Sequence, residues 1–89
     1  MSNLSNQIIR IGHLLHDINM SFAAKGEFII HDELPMIEVK VMESAVTVYW
    51  NFIWQDCDWA EADARKSEHD LAMMITAARE SHNGLGAAA

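Results

Sequence analysis

AVTVYWNFIW, residues 45–54, is the stretch whose reading decides the fold. At a period of two, Val46, Val48, Trp50, Phe52 and Trp54 fall on one side, and Ala45, Thr47, Tyr49, Asn51 and Ile53 fall on the other. β-Branched and aromatic residues suit a pleated, half-buried surface, and neither Gly nor Pro interrupts the run. The stretch therefore predicts a strand whose oily row, beginning at Val46, faces the interior.

Upstream the same period holds. Ile37, Val39 and Val41 form the apolar side of a second strand whose other side carries Glu38, Lys40 and Met42, and Phe28 and Ile30 mark a first strand. His31-Asp32-Glu33-Leu34-Pro35 turns the chain between them, and Glu43-Ser44 is a short connection into the third strand. Pairing Val41 with Val46, Val39 with Val48 and Ile37 with Trp50 sets apolar against apolar on one face, whereas a shift of one residue mismatches every pair. The same parity joins Ile30 to Ile37 and Phe28 to Val39. The expectation is an antiparallel three-stranded meander with one oily face and one mixed face.

Helical periodicity brackets these strands. Leu4, Ile8, Ile11, Leu15, Ile18 and Phe22, widened by Leu14, stack along one stripe and predict a helix over 3–25, capped at Ser2 or Asn3 and ended by Lys25 and Gly26. Gly12 costs about 1 kcal/mol of helix propensity and so marks a close backbone approach. Ala60, Ala64, Ser67, Leu71, Met74, Ile75 and Ala78 share one side of a second helix over 59–82, with Asp58 and Glu61 in capping-box spacing. This stripe is thin and built of small residues, so it lets the helix lie close to its neighbour. The polar run from Asp63 to Asp70 leaves two readings, a continuous helix and one broken near Ser67. Asn83-Gly84 stops the helix, and residues 85–89 read as a disordered tail to a single domain over 1–84.

The order α-β-β-β-α, with both helices on one face of the meander, is an α+β two-layer sandwich. A chain of 89 residues builds one core, and 51% apolar residues with three Trp is generous for a monomer, which points to a homodimer. The third strand is an uncharged aromatic edge, and either pairing across a two-fold axis into a six-stranded sheet or coverage by the loop around Asp56 removes that hazard.

Thirteen acidic against six basic residues give a formal charge of -7, which disfavours direct contact with nucleic acid or anionic membranes. Such a surface suits a basic partner instead, including the nucleic-acid-binding groove of another protein. With no long apolar run and no signal-peptide pattern the chain reads as cytoplasmic, and the lone Cys57, flanked by Asp56 and Asp58, reads as a plain thiol.

The candidate partner-binding residues are Asp56, Asp58, Glu61, Asp63, Glu68 and Asp70, with Trp54 and Trp59 as rim anchors. Ile9, His13, His16 and Met20 form a weaker stripe on the back of the first helix. It reads either as scattered surface residues or, with Tyr49 from the mixed face, as a dimer or second interface. His13, His16 and Asp17 fall short of a metal site, and no Gly-rich phosphate loop, catalytic triad, CxxC or HExxH motif is present, so neither cofactor nor enzymatic activity is expected. The expected function is a small acidic protein-interaction module, an inhibitor or adaptor of the size and charge of phage-borne inhibitors of nucleic-acid machinery, or a chaperone-like cradle. The alternative is a small-molecule or metal-binding protein with a pocket between sheet and helices, using His13, His16 or Tyr49.

Overall fold

A computed structural model of the chain describes residues 3–81. Helix α1 (Asn3–Ser21) leads into β1 (Lys25–Ile30), β2 (Met36–Glu43) and β3 (Val46–Trp54), and helix α2 (Ala60–Ser81) follows. The strands form one antiparallel sheet in the order β1-β2-β3, covered on one face by both helices. The α+β order and layering agree with the sequence reading.

The helix stripes fall where periodicity puts them. Ile11, Leu15 and Ile18 of α1 meet Ala64, Leu71, Ile75 and Ala78 of α2 over Val39, Val41 and Ile53, and Leu4, Leu14, Phe22 and Phe28 flank this core. Gly12 is the predicted close approach, since a Cβ there would lie 3.3 Å from the Phe28 ring. Surface ion pairs Arg10–Glu68 at 2.9 Å and Arg79–Asp17 at 2.8 Å tie the two helices side by side. α2 is one unbroken helix through Ser67. It begins at Ala60 rather than Trp59, because the Trp59 carbonyl is the acceptor for Asp63 N at 2.9 Å.

α1 is shorter than the predicted 3–25. Lys25 and Gly26 belong to β1, where Gly26 pairs with Val41, and the Asn19 side chain binds the Gly26 backbone in both directions at 2.8 and 2.9 Å. Gly26 is thus a crossing point and not a helix cap: a Cβ there would sit 2.7 Å from Leu15 Cδ2. Ser2, residues 82–84 and the expected tail at 85–89 lie outside the described residues.

The register of β1 on β2 is the expected one, Phe28 opposite Val39 and Ile30 opposite Ile37. That of β2 on β3 is not, and the expected pairs of Val41 with Val46, Val39 with Val48 and Ile37 with Trp50 are corrected. The turn is Ser44-Ala45, with Ser44 at a φ of 56°, and it sets Glu43 opposite Val46 and Met42 opposite Thr47. Continued without interruption, it would bring Val41 opposite Val48 and Ile37 opposite Phe52, keeping the oily row inside. A bulge between Val41 and Met42 prevents this: Val48 has no partner, and Val41 faces Tyr49, Val39 faces Asn51 and Ile37 faces Ile53. Because side chains alternate, one extra residue reverses every position after it. Ile53 is fully buried, whereas Trp50 is 54% exposed and Phe52 and Trp54 are each 38% exposed.

Candidate interaction surfaces

The inward turn of Tyr49 and Asn51 requires polar partners, and α2 supplies them. Ser67, fully buried, accepts a hydrogen bond from the Asn51 amide, and its hydroxyl lies 3.2 Å from the Tyr49 oxygen, to which it can donate. Tyr49 also donates to Asp70 Oδ2 at 3.1 Å, and Lys66 reaches the same carboxylate at 3.0 Å. Buried polar groups are tolerated when paired in this way. The small side chains of Ala60 and Ala64 on the same α2 stripe leave room for the larger Tyr49 and Asn51 opposite.

Burial and the neighbouring Asp70 carboxylate push the Tyr49 phenol up to about 12, despite its bond to Ser67. At Asp70, burial pushes the carboxyl up, but hydrogen bonds from Lys66 and Tyr49 outweigh it and the net shift is downward. Tyr49 is the only tyrosine, so its ionisation can be followed alone near 295 nm. The expected midpoint is close to 12, and one near the ordinary 10.0 would show the phenol in water. A raised phenol pKa stabilises the fold below pH 10, and this contribution is lost as the pH climbs from 10 to 12. Tyr49 therefore faces α2 and does not join Ile9, His13, His16 and Met20 on a common surface; nor do Thr47, Lys40 and Met42 share a face with it.

The uncovered face of the sheet combines the side of β2 that the sequence leaves outward with the β3 residues Trp50, Phe52 and Trp54, which the sequence assigns to the interior. Lys25, Glu27 and Ile29 of β1, Met36, Glu38, Lys40 and Met42 of β2, and Thr47, Trp50, Phe52 and Trp54 of β3 lie on it by register. Trp50 is fixed there. Its indole N–H donates to Glu38 Oε2 at 2.8 Å, Lys40 Nζ stands 5.3 Å from its ring centroid, and Phe52 lies 5.2 Å away at a 42° tilt. Glu38 Oε1 is 2.6 Å from His31 Nε2. The Trp50 hydrogen bond, with His31 adding to it, holds the Glu38 carboxyl below its ordinary 4.5 against the opposing effect of burial. This clamp was missed because it exists only once the bulge has turned Trp50 outward.

A second surface forms at the end of the sheet where β1 turns into β2 and β3 leaves for α2. Gln55 N donates to Pro35 O at 2.7 Å and Met36 pairs with Trp54, so the loop 31–35 and the segment 55–59 are adjacent. This pole gathers Asp32, Glu33, Asp56 and Asp58, with Glu61 and Asp63 in the first turn of α2. Leu34, Trp54 and Trp59 are exposed among them. Among the described residues none of the six carboxylates has an ion-pair partner, whereas Glu68 and Asp70 are occupied by Arg10 and by Lys66 and Tyr49. The predicted cluster thus divides: Asp56, Asp58, Glu61 and Asp63 stay free with Trp54 and Trp59, and Glu68 and Asp70 brace the fold. Cys57 donates weakly to Trp54 O at 3.2 Å.

On the helical side Ile9, His13, His16 and Met20 are all exposed. A cleft of about 450 Å³ between the helices is lined by Arg10, His13, Leu14, Asp17, Glu68 and Ala72. Tyr49 is not among its lining residues, so His13 and Tyr49 do not converge on this cleft. Among the described residues no three His, Cys, Asp or Glu side chains gather as a metal site, and no helix is long and apolar enough to cross a membrane. Compared with protein-family models, curated proteins and solved structures, the chain matches none.

Proposed function

We propose that this protein is a small acidic interaction module that works as an inhibitor or adaptor by covering a basic surface of another protein, and that the acidic pole is the contact. The observation that supports this reading is six carboxylates, without an ion-pair partner among the described residues, at the same end of the fold as exposed Trp54, Trp59 and Leu34. Indole side chains entering a pocket supply a disproportionate share of binding energy, and carboxylates around them steer a basic partner and set its orientation. The first basic residue of α2 is Arg65, beyond the turn that carries Glu61 and Asp63. Charges grouped at one end of so small a fold act together on an approaching cation, over a screening length of about 8 Å. A groove evolved for a phosphate backbone is the class of surface such a pole fits, and the module acts there by occupancy and not by catalysis.

The test is capture from a native lysate by the full chain and by a variant with Asp56→Lys, Asp58→Lys, Glu61→Lys and Asp63→Lys. With unchanged circular dichroism, the variant is expected to lose its captured partner at least about tenfold, and native capture to weaken steeply with salt. Equal capture by both chains contradicts the reading.

A further inference from the structure

We infer that the uncovered sheet face binds a second copy of this chain, face to face, with Trp50 and Phe52 at the centre of the contact. The first argument is charge. The whole chain carries -7, yet this face holds Lys25 and Lys40 against Glu27 and Glu38, so it is locally neutral. Two copies of a strongly acidic protein repel wherever their excess charge meets, and here that excess is absent. A two-fold axis also brings both signs from each copy, so that Lys40 of one can meet Glu38 or Glu27 of the other, and a self-complementary patch is what an isologous contact requires. A strongly basic partner, by contrast, finds no complement on this face and a full one at the acidic pole.

The second argument is area and order. Three strands about 4.8 Å apart and about eight residues long at about 3.3 Å each give roughly 400 Å² of plan area per copy. With side-chain relief, two such faces bury on the order of 1,000 Å², the scale at which a specific contact becomes stable. Ordering costs little there, because Trp50 is already held by Glu38 and Lys40 and packed on Phe52.

The mode follows from the same residues. Pairing β3 edges would extend the sheet but leave both aromatic rows in water, side by side, as a larger patch. The unpaired Val48 also twists the edge strand, a device that discourages edge-to-edge addition. Face-to-face packing removes the aromatic rows from water instead.

Light scattering coupled to size exclusion tests this on the full chain. At roughly 100 μM, where a micromolar contact is saturated, the expected mass is about 20 kDa, twice the 10.0 kDa of the chain, falling towards one chain on dilution. Phe52→Glu places a carboxylate at the centre of each face and is expected to give 10.0 kDa at the same concentration with native circular dichroism. A monomeric native protein at that concentration, or a dimer that survives the substitution, overturns the inference. If the variant does not fold, acrylamide quenching of native tryptophan fluorescence decides. Quenching that rises at least about twofold on dilution supports burial of the indoles between copies, and quenching independent of concentration overturns it.

Discussion

Ile53→Ala is expected to cost about 2–5 kcal/mol of unfolding free energy in denaturant titrations, whereas Phe52→Ala, one residue away and the larger truncation, is expected to cost about 1 kcal/mol. The contrast follows from the bulge. Ile53 is fully buried opposite Ile37, and removing its outer carbons leaves a cavity in the layer beneath α2. Phe52 is 38% exposed and loses mainly its tilted contact with Trp50. Small domains have total stabilities near the low end of about 5–15 kcal/mol, so the Ile53 variant will be close to its limit. The comparison belongs in dilute solution, where contacts between copies do not add to the effect of Phe52. Equal costs, or a larger one at Phe52, would place the oily row inside.

Ser67→Leu is expected to destabilise by about 2–5 kcal/mol, more than Ser67→Ala at about 1–2 kcal/mol. Two effects combine in the leucine. It forces extra carbons into a fully buried site on the α2 stripe, and it leaves the inward Asn51 amide without its main acceptor. The alanine removes the acceptor alone. Thermal melting of both variants checks the order, and a leucine as stable as the wild type would show that Asn51 and Tyr49 are solvated and that α2 does not lie against them.

Ile53→Ala and Ser67→Leu both probe the inner side of β3, the first from the strand and the second from α2, and together they show what the sequence made legible. The helix stripes from Leu4 to Phe22 and from Ala60 to Ala78, the strand positions and the pairing of Phe28 with Val39 follow from periodicity, because each is a local pattern with no interruption. The side of β3 that meets the helices does not follow. AVTVYWNFIW alternates without a break, and no Gly or Pro marks the place where Val48 drops out of the ladder. Two signals pointed the other way. Ala60, Ala64 and Ser67 make a stripe too small to match a row of indoles but suited to Tyr49 and Asn51. Glu38 and Lys40, opposite the oily row of β2, needed neighbours on their own face, and Trp50 supplies both a hydrogen-bond donor and a ring.

The candidate surfaces were legible to a similar degree. Asp56, Asp58, Glu61 and Asp63 read as a cluster from sequence, and they remain unpaired beside Trp54 and Trp59. Asp32 and Glu33 join them through the Met36–Trp54 pairing and the Gln55–Pro35 hydrogen bond, contacts between distant segments that no window of sequence contains. Glu68 and Asp70 fit the acidic pattern equally well, yet Arg10 and Tyr49 occupy them.

Deleting Val48 tests the central claim most directly, because a one-residue deletion inside a strand ordinarily turns every later side chain to the wrong face. Here the deleted residue is the one without a partner, so Thr47 and Tyr49 close into an uninterrupted ladder opposite Met42 and Val41. The shortened chain is expected to fold, to melt within about 5 °C of the parent and to keep its tyrosine midpoint near 12. A deletion variant that fails to fold, or whose tyrosine titrates near 10, would mean that β3 is paired without a bulge and that its aromatic row faces the helices.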